Sequence, residues 1–99
     1  MDRLPKHAEE ILKKHELVWE GLWYCSIYCH DDNGEPVYVA KSDREIASIL
    51  AEEYKLSTNY SEDLDLWSIG KSPLYKILSY GDDPTALILE AVRKINETN

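Results

Sequence analysis

Alternation of an apolar with a mixed face marks one stretch of the chain, Leu17 to Ala40, with the sequence LVWEGLWYCSIYCHDDNGEPVYVA, interrupted at Gly21 by a bulge or by a strand start at Leu22. Its odd positions give Leu17, Trp19, Gly21, Trp23, Cys25, Ile27 and Cys29. Its even positions mix Val18, Leu22, Tyr24 and Tyr28 with Glu20, Ser26 and His30. Period-two patterning in residues that suit a pleated surface predicts strands. The Asn33-Gly34 pair between two apolar runs predicts a hairpin over about 18–40. A two-residue loop would set Cys29 opposite Tyr38. A three-residue loop, with Gly34 in the left-handed region, would set Cys29 opposite Val37 and Ile27 opposite Val39. The second register gathers Trp23, Cys25, Ile27, Cys29, Val37 and Val39 on one face, so it is the expected one. That face should turn into the core. Tyr24, Tyr28 and Tyr38 would then occupy the other face, with Tyr28 across from Tyr38.

Elsewhere the apolar spacing is helical. Leu4, Ala8, Ile11 and Leu12 predict a helix over 4–17. Ile46, Ile49, Leu50 and Tyr54 predict one over 42–56, opened by Ser42 and Glu45 as a capping box. Ser72-Pro73 opens a predicted helix over 72–80 whose inner face is Leu74, Ile77 and Leu78, with Gly81 as its stop. Asp83-Pro84 opens the last, over 83–96, on Leu87, Ile88, Ala91, Val92 and Ile95. In 57–71, a short third strand at 65–69 competes with an ordered loop. The expected fold is α+β and a single domain over 1–99: a small antiparallel sheet covered on one face by about four helices.

Charge refines this picture. The chain of 99 residues carries a net charge of −8. Residues 31–65 hold ten acids against three bases, and so supply nearly all of the imbalance. That distribution disfavours a nucleic acid as direct ligand, because phosphates are held by Lys and Arg. The opening segment MDRLPKHAEEILKKH is polar, unlike a signal peptide, and no apolar run approaches the ~20 residues of a membrane span. The expected location is cytoplasmic, with no membrane partner.

Few residues invite chemistry. Cys25 and Cys29 lie four apart on one strand, ~13 Å between Cα atoms, too far for a disulfide. Cys29 and His30 point to opposite faces of a strand, which separates the nearest thiol and imidazole. His7, His15 and His30 lack chelate spacing, so no metal is expected. The four glycines are scattered and form no phosphate cradle. No catalytic residue and no cofactor is assigned.

Aromatics and acids remain. Tyr and Trp anchor protein interfaces, and an unbalanced acidic surface steers association with a basic partner. The expectation is a small acidic protein-binding module of inhibitor, immunity or adaptor type, not an enzyme. It would hold a basic protein surface, with its acids standing in for nucleic-acid phosphates. Glu52, Glu53, Glu62, Asp63 and Asp65 would supply charge, with Tyr60, Tyr24, Tyr28 and Tyr38 as anchors. Two alternatives stand beside it. One is a self-associating regulatory or structural protein that forms a homodimer through the hairpin; the other is a small cysteine-dependent enzyme.

Overall fold

A computed structural model of the chain describes residues 1–72 and 76–97. The elements run α1 (Lys6–Lys14), β1 (Val18–Trp19), β2 (Tyr24–His30), β3 (Pro36–Ala40), α2 (Asp43–Tyr54), β4 (Leu56–Ser61), β5 (Leu66–Lys71), β6 (Lys76–Gly81) and α3 (Pro84–Glu97). The class is α+β. Among the described residues there are three helices and two antiparallel sheets, ordered β1-β2-β3 and β4-β5-β6. None of these helices is long and apolar enough to cross a membrane.

Local chemistry explains where the helices start and stop. Ser42 Oγ accepts the Glu45 N–H at 3.2 Å and caps α2. Asp83 does the same for α3 through the Thr85 N–H at 3.0 Å, ahead of Pro84 at the first helical position. Helix α1 ends in a left-handed turn at Glu16, φ +62°, with the Leu17 N–H returning to Leu12 O at 3.0 Å. Helix α2 ends the same way at Lys55, φ +56°.

The core joins these helices to the second sheet. Ala8, Ile11 and Leu12 of α1, Ile46, Ala47, Leu50 and Tyr54 of α2, and Leu87, Leu89, Ala91 and Val92 of α3 are buried together with Leu56 and Ile69. Tyr54 ties three elements to α2. The His7 ring of α1 stands perpendicular to its ring with centroids 5.9 Å apart, Asn96 of α3 donates to its hydroxyl at 3.0 Å, and Lys71 Nζ of β5 donates to its carbonyl at 2.8 Å.

The segment predicted as a helix over 72–80 is instead strand β6, paired with β5 from Trp67↔Gly81 to Lys71↔Lys76. Pro73 and Leu74, the expected cap partner and first inner residue, lie outside the described residues. Short apolar runs fit either period, and here pairing decides. Strand β5 is buried at Ser68, Ile69 and Gly70, so its backbone needs partners on both edges. Gly81 does not stop a helix. It lets Leu87 pack closely, since a Cβ there would meet Leu87 Cδ2 at 3.0 Å. The strand foreseen at 65–69 exists as β5, but it pairs with β4 and β6 and not with the hairpin. Strand β4 lies where a loop was expected.

The hairpin also departs from expectation. Its turn does take the three-residue form. The Asp31 N–H donates to Glu35 O, Gly34 has φ +80°, and Cys29 sits opposite Val37. Beyond that pair the register shifts, because Tyr28 is an extra residue between Ile27↔Tyr38 and Cys29↔Val37. Tyr28 and Tyr38 are therefore not partners. Cys29 crosses to the face opposite Cys25 and Ile27. Trp23, Ile27, Cys29, Val37 and Val39, all expected in the core, are exposed, whereas Tyr24, expected outside, is 1% exposed. No helix covers the far end of the hairpin, because the helices' apolar stripes are spent on each other and on the second sheet.

Tyr24 anchors the hairpin root. Its hydroxyl accepts the Leu4 N–H at 2.9 Å and donates to Glu9 at 2.9 Å, and Glu9 also holds Arg3 at 2.9 Å. Burial pushes the Tyr24 phenol up to about 12, and the hydrogen bond to Glu9 adds to the effect. Burial also pushes the Glu9 carboxyl up. The hydrogen bonds from Arg3 and Tyr24 outweigh it and leave Glu9 below its ordinary value. A depressed carboxyl stabilises the fold above its ordinary pKa, about 4.3, and that contribution is lost as pH falls through the folded value. Tyr24→Phe strands the buried Leu4 N–H and should cost about 1–3 kcal/mol in urea unfolding. Glu9→Gln should destabilise at neutral pH, with a deficit that closes in acid. A constant deficit from pH 7 to pH 3 would show that the charge of Glu9 is irrelevant.

Candidate functional site

Beyond Tyr24, strands β2 and β3 form an arm. β2 is seven residues long, so the arm reaches ~20 Å from end to end. The molecule measures 56 × 29 × 21 Å, with a radius of gyration of 15.5 Å, against about 13 Å for an ordinary 100-residue domain. Leu22 and Trp23 lie exposed at the arm's base, and Ile27, Tyr28, Val37, Tyr38 and Val39 along it. Tyr28, pushed outward on the bulge, is 76% exposed. These large apolar side chains stand open to water on both faces of the arm.

Register assigns the faces. Val18, Cys25, Ile27, Tyr38 and Ala40 share one. Trp19, Tyr24, Ser26 and Val39 share the other, joined after the bulge by Val37 and Cys29. Val18, Ile27 and Tyr38 of the first face, with Glu16 and Ser26, line a groove of about 370 Å³. Residues 16–40 carry five acids, Glu16, Glu20, Asp31, Asp32 and Glu35, and no Lys or Arg. Asp31 has a structural task as well, since its Oδ1 accepts the Asn33 and Glu35 N–H groups at 2.9 Å and shapes the turn.

The predicted partner-binding residues divide among four places. Tyr28 and Tyr38 lie exposed on the arm. Tyr24 belongs to the core and is withdrawn from any tyrosine surface. Glu52 and Glu53 sit exposed on the last turn of α2, where Glu53 faces His15 at 3.7 Å. Glu62, Asp63 and Asp65 occupy the β4–β5 turn beside Tyr60. The Tyr60 hydroxyl donates to Asp65, and its ring lies 5.4 Å from Trp67. That hydrogen bond, reinforced by desolvation, pushes the Tyr60 phenol up. Strand β4 spans ~17 Å between α2 and this turn, so the carboxylates form two groups, not one array. Sequence reasoning missed the exposed Leu22, Trp23, Ile27, Val37 and Val39. The available signal was the hairpin's apolar content on both faces, which a single covering layer cannot bury.

Other chemistry is sparse. Among the described residues, no three His, Cys, Asp or Glu side chains are grouped to hold a metal ion. Cys25 is buried, and its thiol lies 3.8 Å from Trp23 O. Burial pushes that thiol up, with the Glu20 charge adding to the effect. Cys29 is exposed. In comparisons with known proteins, no family model, curated protein or solved structure matches the chain.

The two thiols should separate cleanly. In the folded protein a maleimide should label Cys29 promptly and Cys25 only after denaturant is added. Equal labelling rates would contradict the burial of the hairpin root.

Proposed function

We propose that this protein is a small acidic binding module whose β2–β3 arm docks on another protein and whose acids select a basic surface. The observation that carries this reading is the arm itself. Past its buried root it exposes large apolar side chains on both faces and contributes little to the core. The energy of docking comes from burying Ile27, Tyr28 and Tyr38, at ~25 cal/mol per Å² of apolar area removed from water. Selection comes from charge. The groove beside Glu16 suits a long cationic side chain, with its alkyl stem on Val18 and Ile27 and its charged head at the carboxylate. The acids at the tip, Asp31, Asp32 and Glu35, would meet further Lys or Arg at the rim, where they accelerate encounter more than they add affinity. The acids of α2 and of the β4–β5 turn extend the same field without forming one binding array.

A photo-crosslinking residue placed at Tyr28, at Glu62 or at Glu90 tests the reading in the native host. Position 28 should yield a discrete adduct with a protein bearing a basic surface, and position 90 on α3 should yield none. With that protein purified, Ile27→Ser with Tyr28→Ser should weaken binding at least about tenfold. Binding should also weaken as salt rises. Adducts that form equally at 28 and 90, or affinity indifferent to both salt and the arm substitutions, would overturn it.

A further inference from the structure

The edge of β3 is a separate surface from the faces of the arm. Among the described residues β3 pairs only with β2 and lies at the edge of its sheet. The Lys41 N–H donates to Tyr24 O at 2.8 Å, and the Asp31 N–H donates to Glu35 O at 2.9 Å. That phase directs the backbone groups of Glu35, Val37, Val39 and Lys41 toward β2. Those of Pro36, Tyr38 and Ala40 point away from the sheet. Pro36, which has no N–H, thus sits where its missing donor faces outward and β2 loses nothing.

We infer that this edge pairs with the same edge of a second copy of the chain, antiparallel about a two-fold axis at Tyr38. The geometry is self-complementary. Each Tyr38 exchanges two backbone hydrogen bonds with its counterpart, and each Ala40 N–H reaches the Pro36 carbonyl of the other copy. Val37 then stands opposite Val39 of the other copy, twice, which brings four valines together on one face. The next pair in the ladder is Glu35 opposite Lys41 of the other copy, also twice. That pair is of the non-hydrogen-bonded kind, in which side chains approach closest. Lys41 is available for it, since its present partner Glu45 lies at 3.6 Å on an exposed surface. No other Lys or Arg lies within the arm, so this charge match is specific to the register centred on Tyr38.

The register also keeps the two bodies apart. In each copy α2 begins just beyond Lys41, so the helical bodies stand at opposite ends of the joined sheet. The acids of α2 and of the β4–β5 turn are then held farther from their counterparts than the ~8 Å screening length at physiological salt. The resulting six-stranded sheet leaves both arm faces open to the partner proposed above, and of the tip acids the two surfaces share Glu35 alone.

Sedimentation equilibrium of the purified full chain, with no partner present, tests the pairing over about 1–100 μM. A monomer–dimer equilibrium is expected. Glu35→Lys should raise its dissociation constant at least about tenfold, because two attractive pairs become repulsive. Adding Lys41→Glu to the same chain should restore most of the loss. Tyr38→Pro, which removes the central outward N–H, should give a monomer. A wild-type monomer throughout the range would overturn the inference. So would a dimer that ignores both the charge reversal and its compensating swap. Either result leaves the crosslinking test of the arm faces standing on its own.

Discussion

The arm's attachment depends on one buried phenol. Tyr24 is the largest side chain that the first sheet places wholly in the core. Its hydroxyl is satisfied on both sides, by the Leu4 N–H and by Glu9. Its ring packs on Trp19 across the short β1–β2 ladder, with centroids 4.8 Å apart. Together with Leu17, this contact fixes where the hairpin leaves the body. Past Cys25, which is buried and still pairs with Val18 of β1, the arm is held by the β2–β3 ladder and the Asp31 turn. An isolated hairpin is marginal in water, so an anchored root and a well-formed turn are what this arm requires. The chain supplies both.

Several elements were legible in the sequence because their chemistry is local. The caps at Ser42 and Asp83, the left-handed Gly34 and the apolar stripes of three helices depend on neighbours within a few residues. What failed was non-local. Alternation shows which side chains share a face but not whether a second layer covers that face. The inward set from Trp23 to Cys29 therefore reads as core, yet of its four side chains Cys25 is buried and Trp23, Ile27 and Cys29 are exposed, because the helices are spent elsewhere. The bulge at Tyr28 carries no sequence marker such as glycine, yet it separates Cys29, Val37 and Val39 from the face of Cys25 and Ile27. Strands β4 and β6 were hidden for a related reason. LSTNYS is polar and half exposed, and KILSYG is short enough to fit a helix, so only the demand of buried β5 for two partners reveals them.

The candidate site was legible in kind but not in place. Acidic excess and surface aromatics can be read from composition; Tyr28 and Tyr38 are exposed, but Tyr38 shares its face with Cys25 and Ile27, the side expected to turn inward. The same reasoning put Tyr24 beside them, because strand parity near the root looks identical whether or not α1 lies over it. It also treated the acids of 52–65 as one group, although strand β4 divides them. The apolar arm, more than the charge, now gives the molecule its most distinctive surface.

Hydroxyl-radical footprinting of the dilute, partner-free protein tests that surface most directly. Side chains open to water should oxidise quickly and core side chains slowly. Tyr28 and Trp23 are expected to be modified at rates near those of the denatured chain, with Tyr24 strongly protected in the same sample. Protection of Tyr28 and Trp23 to the level of Tyr24 would mean that the hairpin folds back onto the body and that no arm exists.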